Sequence, residues 1–102
     1  MPKKTFYNDT YQVKFSLQVS EDGPVEFNGI GVCMLRADET TIKIIVSPKE
    51  TIGTLIHEIV HAVDFMFDGL GIEKTLPTDE CYAYMVGWLA NKMVPFFLKH
   101  KI

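Results

Sequence analysis

Thr41-Ile42-Lys43-Ile44-Ile45-Val46-Ser47-Pro48-Lys49-Glu50, continued by Thr51-Ile52-Gly53-Thr54-Leu55-Ile56-His57-Glu58-Ile59-Val60-His61-Ala62-Val63-Asp64, is where the chain changes period. Ile42, Ile44 and Val46 recur every second residue, the mark of a strand with one face buried. At Ser47 the period lengthens. Ser47-Pro48-Lys49-Glu50 is an S-x-x-E capping box with proline at the first helical position, and an apolar run follows it. The spacing predicts a helix over 48–68, stopped by Gly69 and Gly71. Gly53 is a soft spot that would let the first turn stand apart.

Upstream, residues 11–20 alternate. Tyr11, Val13, Phe15, Leu17 and Val19 share one face, which predicts a half-buried strand. Glu21-Asp22-Gly23-Pro24 reads as a turn. A strand over 25–35 follows, and its parity slips at Gly29 and Gly31, where a bulge or bend is expected. Residues 36–40 read as a hairpin loop before the strand at 41–46. Short turns join antiparallel neighbours, so the simplest topology is a three-stranded antiparallel meander. Downstream, 69–78 is a connection and a second helix runs from near Pro77 to about residue 94. Pro95 is expected to end or kink it, and 96–102 is an apolar tail with room for one more turn. The class is α+β: a three-stranded sheet, then two helices, in one domain over 1–102 without repeats or linkers.

Composition sets outer limits. With 102 residues, 47% hydrophobic and 23% charged, the chain is an ordinary globular domain rather than a disordered array. Ten basic against thirteen acidic residues, a formal charge of -3, give no footprint for nucleic acid or an anionic membrane. No run approaches the roughly 18–20 apolar residues that span a bilayer. The basic N-terminus has no apolar segment behind it, so a signal peptide is not expected and the cytoplasm is the default compartment. Cys33 and Cys81 would stay reduced there, as small buried apolar side chains. Phe65, Met66, Phe67 and Trp88 are expected in the core.

His57-Glu58-Ile59-Val60-His61 is an H-E-x-x-H pattern inside the first predicted helix. Residues four apart lie one above the other on a helix face, so both imidazoles can reach one metal ion. Glu58 falls about 100° around the axis, beside the metal rather than on it, placed to accept a proton from water. Zinc suits this donor set. By chance the pattern arises in only about two or three such chains per thousand.

A catalytic zinc site needs a third protein ligand. Asp64, Asp68, Glu73, Asp79, Glu80 and His100 are the downstream candidates. Asp64 shares the histidine face but lies about 7–8 Å along the axis from the pair, so it is read as orienting a ligand or fixing the second helix. Glu80, nineteen residues after His61 and inside the second helix, is the preferred ligand. Small Ala83 and Gly87 on its face would let the two helices approach closely, provided they cross at an angle. The alternative for Glu80 is an acid favoured by the dipole of a helix's first turn.

The pattern resembles the gluzincin branch of the zincin metallopeptidases. His57–Val63 looks like the thermolysin-type active-site helix. Asp79-Glu80-Cys81-Tyr82-Ala83-Tyr84 matches the family's second motif, N-E-x-x-S-D, only at its glutamate. The resemblance covers about residues 41–94, and the order of elements is that of the small single-domain minigluzincins. It implies a zincin-like fold and a zinc-dependent peptidase with Glu58 as general base. It also implies a peptide or protein substrate paired along a sheet edge, either 25–35 or 41–46.

The chemistry expected is hydrolysis by a zinc-activated water, with Glu58 carrying its proton to the leaving amine. The oxyanion needs a further donor. Tyr84, one turn beyond Glu80, is the first candidate, with Tyr82 and His100 behind it, and core packing is its alternative role. Two other classes remain. One is a latent or catalytically silent zincin-fold binding protein that keeps its zinc. The other is a di-iron bundle using Glu58-x-x-His61, which would need four helices and a second such unit. Substrate and oligomeric state are not legible here.

Overall fold

A computed structural model describes residues 2–23, 27, 29–35 and 40–102. The elements are β1 (Lys3–Asn8), β2 (Val13–Val19), β3 (Gly31–Met34), β4 (Thr41–Val46) and α1 (Ile52–Leu70). A single 3-10 turn, Leu76–Thr78, then leads into α2 (Asp79–His100). The class is α+β, as expected.

The sheet departs from the expected meander. It has four strands in the order β1-β2-β4-β3, and it is mixed: β2 and β4 run parallel, while both outer pairs are antiparallel. The physical reason lies in β4. Ile42, Ile44, Ile45 and Val46 are all buried, so this strand is apolar on both faces and takes a central place. β3 is shorter and only partly buried, and it becomes the edge. Residues 20–40 supply the length that a parallel crossover requires.

β1 carries a weak periodic signal, because Lys3, Lys4, Thr5 and Tyr7 are exposed and only Phe6 and Asn8 turn inward. The strand expected over 11–20 starts at Val13 instead. Residues 9–12 make the hairpin turn, in which Asn8 Oδ1 accepts the Tyr11 N–H at 2.9 Å. Gln12 takes a left-handed backbone (φ 56°) to close it. The start of the second expected strand at Val25 and most of the loop at 36–40 lie outside the described residues. Its parity slip resolves as a strand that begins only at Gly31, after Gly29 turns the chain at φ 84°.

Register sets the core. Phe15 pairs with Ile42, Leu17 with Ile44 and Val19 with Val46, so one face of the two central strands is continuous and apolar. Both helices lie on it. Leu55, Ile59, Ala62, Val63, Met66 and Phe67 of α1 meet Met85, Leu89, Met93 and Phe97 of α2 over that face. α1 packs against β3 and β4, and α2 reaches β2.

Helix ends also differ from expectation. Ser47–Glu50 is a separate turn: the Ser47 hydroxyl accepts the Lys49 N–H, and α1 starts at a new N-cap, Thr51. Gly71, left-handed at φ 71°, ends α1, with the Ile72 N–H reaching back to the Phe67 carbonyl at 2.8 Å. α2 runs through Pro95 to His100, because buried Met93 and Phe97 hold the chain on both sides of it. Phe65 and Cys81, expected inside, are exposed. Among the described residues no helix is long and apolar enough to cross a membrane.

Candidate functional site

α1 presents three faces. Its apolar stripe faces the core; on the outer side stand His57 and His61, both exposed. Their Nε2 atoms converge to 3.2 Å, with the rings edge-to-face at 76°. Two imidazole nitrogens bound at about 2.0–2.1 Å to one tetrahedral zinc would stand about 3.3 Å apart. The observed spacing is that of a hydrogen bond between the two Nε2 atoms and also that of two ligands of one ion.

Glu58 lies on the third face, toward β3. It is 7% exposed, and among the described residues no hydrogen-bond donor or cation pairs with it. An unpaired buried carboxylate is costly, and native folds keep such groups for a purpose. Room for it is made by Gly31, the first residue of β3. A Cβ there would come within 3.2 Å of Thr54 Cγ2 and 3.3 Å of Glu58 Oε2. Gly31 and Cys33 share the strand face turned to α1. Burial pushes the Cys33 thiol up to about 12, and the nearby charges of Glu58 and Asp64 add to the effect. Glu58 and His57 open together into a cleft of about 530 Å³, walled by Ile30 and Gly31 of the strand side and by Thr51, Gly53 and Thr54 of the helix start.

The expected third ligand is not brought to this pair. Among the described residues no three His, Cys, Asp or Glu side chains cluster for a metal ion. The orientation of α2 explains why. Met85, Leu89, Met93 and Phe97 are its buried stripe, and Tyr82 faces α1. At 100° per residue, Glu80 lies about 160° around the axis from Tyr82. Ala83 and Gly87 share this outward face and are exposed, and a Cβ on Gly87 would meet nothing within 4 Å. These small residues therefore do not form the helix contact. Tyr84 is 50% exposed on the flank of α2 that neighbours Tyr11 and Cys81, not on the flank that Tyr82 turns to α1. His100 stands at the far end of α2 against Phe96.

Asp64, expected to orient a ligand or fix the second helix, is hydrogen-bonded to Tyr82 of that helix. Its Oδ1 accepts from Lys74 Nζ at 2.7 Å and from the Tyr82 hydroxyl at 3.0 Å. Partial burial raises this carboxyl. The Lys74 and Tyr82 hydrogen bonds, with the charges of Lys74 and His61, outweigh that and hold it below its ordinary value.

Sequence reasoning missed Gly31 and undervalued Tyr82. The apolar spacing of Tyr82, Met85 and Leu89 was the available signal for Tyr82, since it puts the ring beside the buried stripe. For Gly31 the parity slip was visible, but not that the glycine makes space for Glu58.

The chain matches no protein-family model, no curated protein and no solved structure.

Proposed function

We propose that this protein is a zinc-dependent peptidase of zincin-like architecture in which His57 and His61 hold the ion and the glutamate ligand of the gluzincin type is not supplied by Glu80. The observation that carries the reading is the pairing of two converged imidazoles, His57 and His61, with a buried carboxylate, Glu58, one residue from the first and without a partner among the described residues. Zinc held by the two Nε2 atoms would supply Lewis acidity, activating water and polarising the scissile carbonyl. Glu58 takes the proton from the attacking water and delivers it to the departing amine. Its burial beside Gly31 keeps it pointed at the cleft rather than at bulk solvent.

The substrate is an extended peptide lying along β3. The two sheet edges differ in a way that supports this. β1 exposes Lys3 and Lys4, charges that discourage strand addition. Residues 31–35 carry no charge, and this edge borders Glu58. β4, the other edge expected from the sequence, is central and unavailable. The two free thiols, Cys33 and Cys81, are in keeping with a reducing compartment such as the cytoplasm.

A second reading is a zincin-fold binding protein that holds zinc without turnover. It is favoured by one observation, the outward placement of Glu80, with no third donor beside the pair among the described residues. Digestion of casein and of a peptide library, with and without chelator, separates the two. The peptidase reading expects zinc-dependent cleavage that Glu58→Gln abolishes while zinc is retained. No cleavage by zinc-loaded wild type, or cleavage undiminished in Glu58→Gln, contradicts it.

A further inference from the structure

Tyr82 is only partly buried, yet its ring is held from four directions. Its hydroxyl bonds to the Val60 carbonyl (3.3 Å) and to Asp64 Oδ1 (3.0 Å). Its ring stacks edge-on against Phe67 at 5.3 Å, and the Lys74 ammonium sits 5.3 Å from its centroid. The two oxygens it touches bracket the three residues 61–63, the first of which is His61. Within a helix the Val60 carbonyl is also the acceptor for the Asp64 N–H, so the hydroxyl spans the very hydrogen-bonded turn that carries His61. Lys74 closes the arrangement from the α1–α2 connection by pairing with the same Asp64 oxygen.

We infer that Tyr82 is a positioning residue: its hydroxyl locks α2 onto the turn bearing His61 and so fixes that imidazole opposite His57. This rests on the metal-site reading above. Among the described residues no hydrogen bond or ring contact from α2 reaches the His57 turn, so the two halves of the histidine pair are held by different means. His57 stands in the first turns of α1 and lines the cleft that Thr51 also borders. His61 depends on a tether from another helix. A tyrosine reaches across the helix gap where a phenylalanine would fill the same ring space and leave the turn untied. Its effect on the ion is transmitted through His61, since the hydroxyl's assigned partners are the carbonyl and the carboxylate.

The test compares wild type, Tyr82→Phe and an unrelated control, Tyr7→Phe on β1. Hydrogen exchange is measured on metal-free protein, and zinc affinity by competition with a chromophoric chelator. Cobalt absorption reports the geometry of the two-imidazole site. In Tyr82→Phe, exchange should quicken about residues 61–68 while 52–57 keep wild-type rates. Zinc affinity should fall by about tenfold, the lower end of what residues that hold metal ligands in place usually contribute. The cobalt spectrum should broaden or shift, and Tyr7→Phe should match wild type throughout. Unchanged zinc affinity in Tyr82→Phe overturns the inference, even if the turn loosens. A uniform rise in exchange along all of α1 also overturns it, because that is general destabilisation. If wild type itself takes up no zinc, the metal-site reading fails and the inference falls with it, a result distinct from the other two.

Discussion

Gly31 and Glu58 touch across the boundary between the edge strand and the first helix: a Cβ on the glycine would lie 3.3 Å from both Glu58 Cγ and Oε2. The strand begins with a residue lacking a side chain where the buried carboxylate needs its space. Gly31→Ala should therefore displace Glu58 and Thr54 by a few tenths of an ångström. We expect peptide hydrolysis to drop by about tenfold, since small misplacements of reacting groups are costly. Stability should change by less than about 2 kcal/mol, as for a modest overpacking. Steady-state kinetics beside thermal unfolding checks this. Full activity in a folded variant would show that Glu58 is not held by this contact.

The two thiols report on the same boundary. Cys81 is exposed, whereas Cys33 is partly buried with its thiol pushed up to about 12 by burial and by the charges of Glu58 and Asp64. Near pH 8 alkylation should label Cys81 first, with Cys33 at least about a hundredfold slower. Glu58→Gln removes one of the opposing charges and should speed labelling of Cys33 but not of Cys81. Mass-resolved alkylation rates measure this. Equal rates at the two cysteines would contradict the packing of β3 against α1.

The Asp64–Tyr82 contact has a defined pH window. Asp64 titrates below its unfolded value of about 3.9 in the folded protein, so its share of stability is present above that value and fades as pH falls through the folded one. Tyr82 is raised to about 12 by burial, by its hydrogen bond to Asp64 and by that residue's charge. Its share is complete below about pH 10, the unfolded value, and is lost as pH climbs toward 12. The stability gap between wild type and Tyr82→Phe should thus be widest between those limits and narrow on both sides. Denaturant unfolding across pH measures the gap. A gap that does not vary with pH would contradict the coupling between the Tyr82 hydroxyl and the Asp64 carboxylate.

What was legible in the sequence was what local period and caps encode. The two helices, the β2 and β4 segments and the convergence of His57 with His61 follow from spacing along one element. What was hidden depends on neighbours far away in the chain. β4 sits centrally because Ile45 is buried on the face opposite Ile44, and alternation alone does not say which strands flank it. β1 escaped notice because an edge strand carrying Lys3 and Lys4 has only Phe6 as an apolar inward residue. The small residues Ala83 and Gly87 suggested a helix contact, yet the larger apolar stripe from Met85 to Phe97 decided which way α2 turned. That rotation carried Glu80 and Tyr84 with it.

The central claim is that His57 and His61 together hold an ion. Calorimetric titration of zinc into metal-free wild type, His57→Ala and His61→Ala tests it most directly. The account predicts one equivalent bound by wild type and a loss of at least about a hundredfold in affinity for either variant. Wild type that binds no zinc, or single variants that bind it as tightly as wild type, would contradict it.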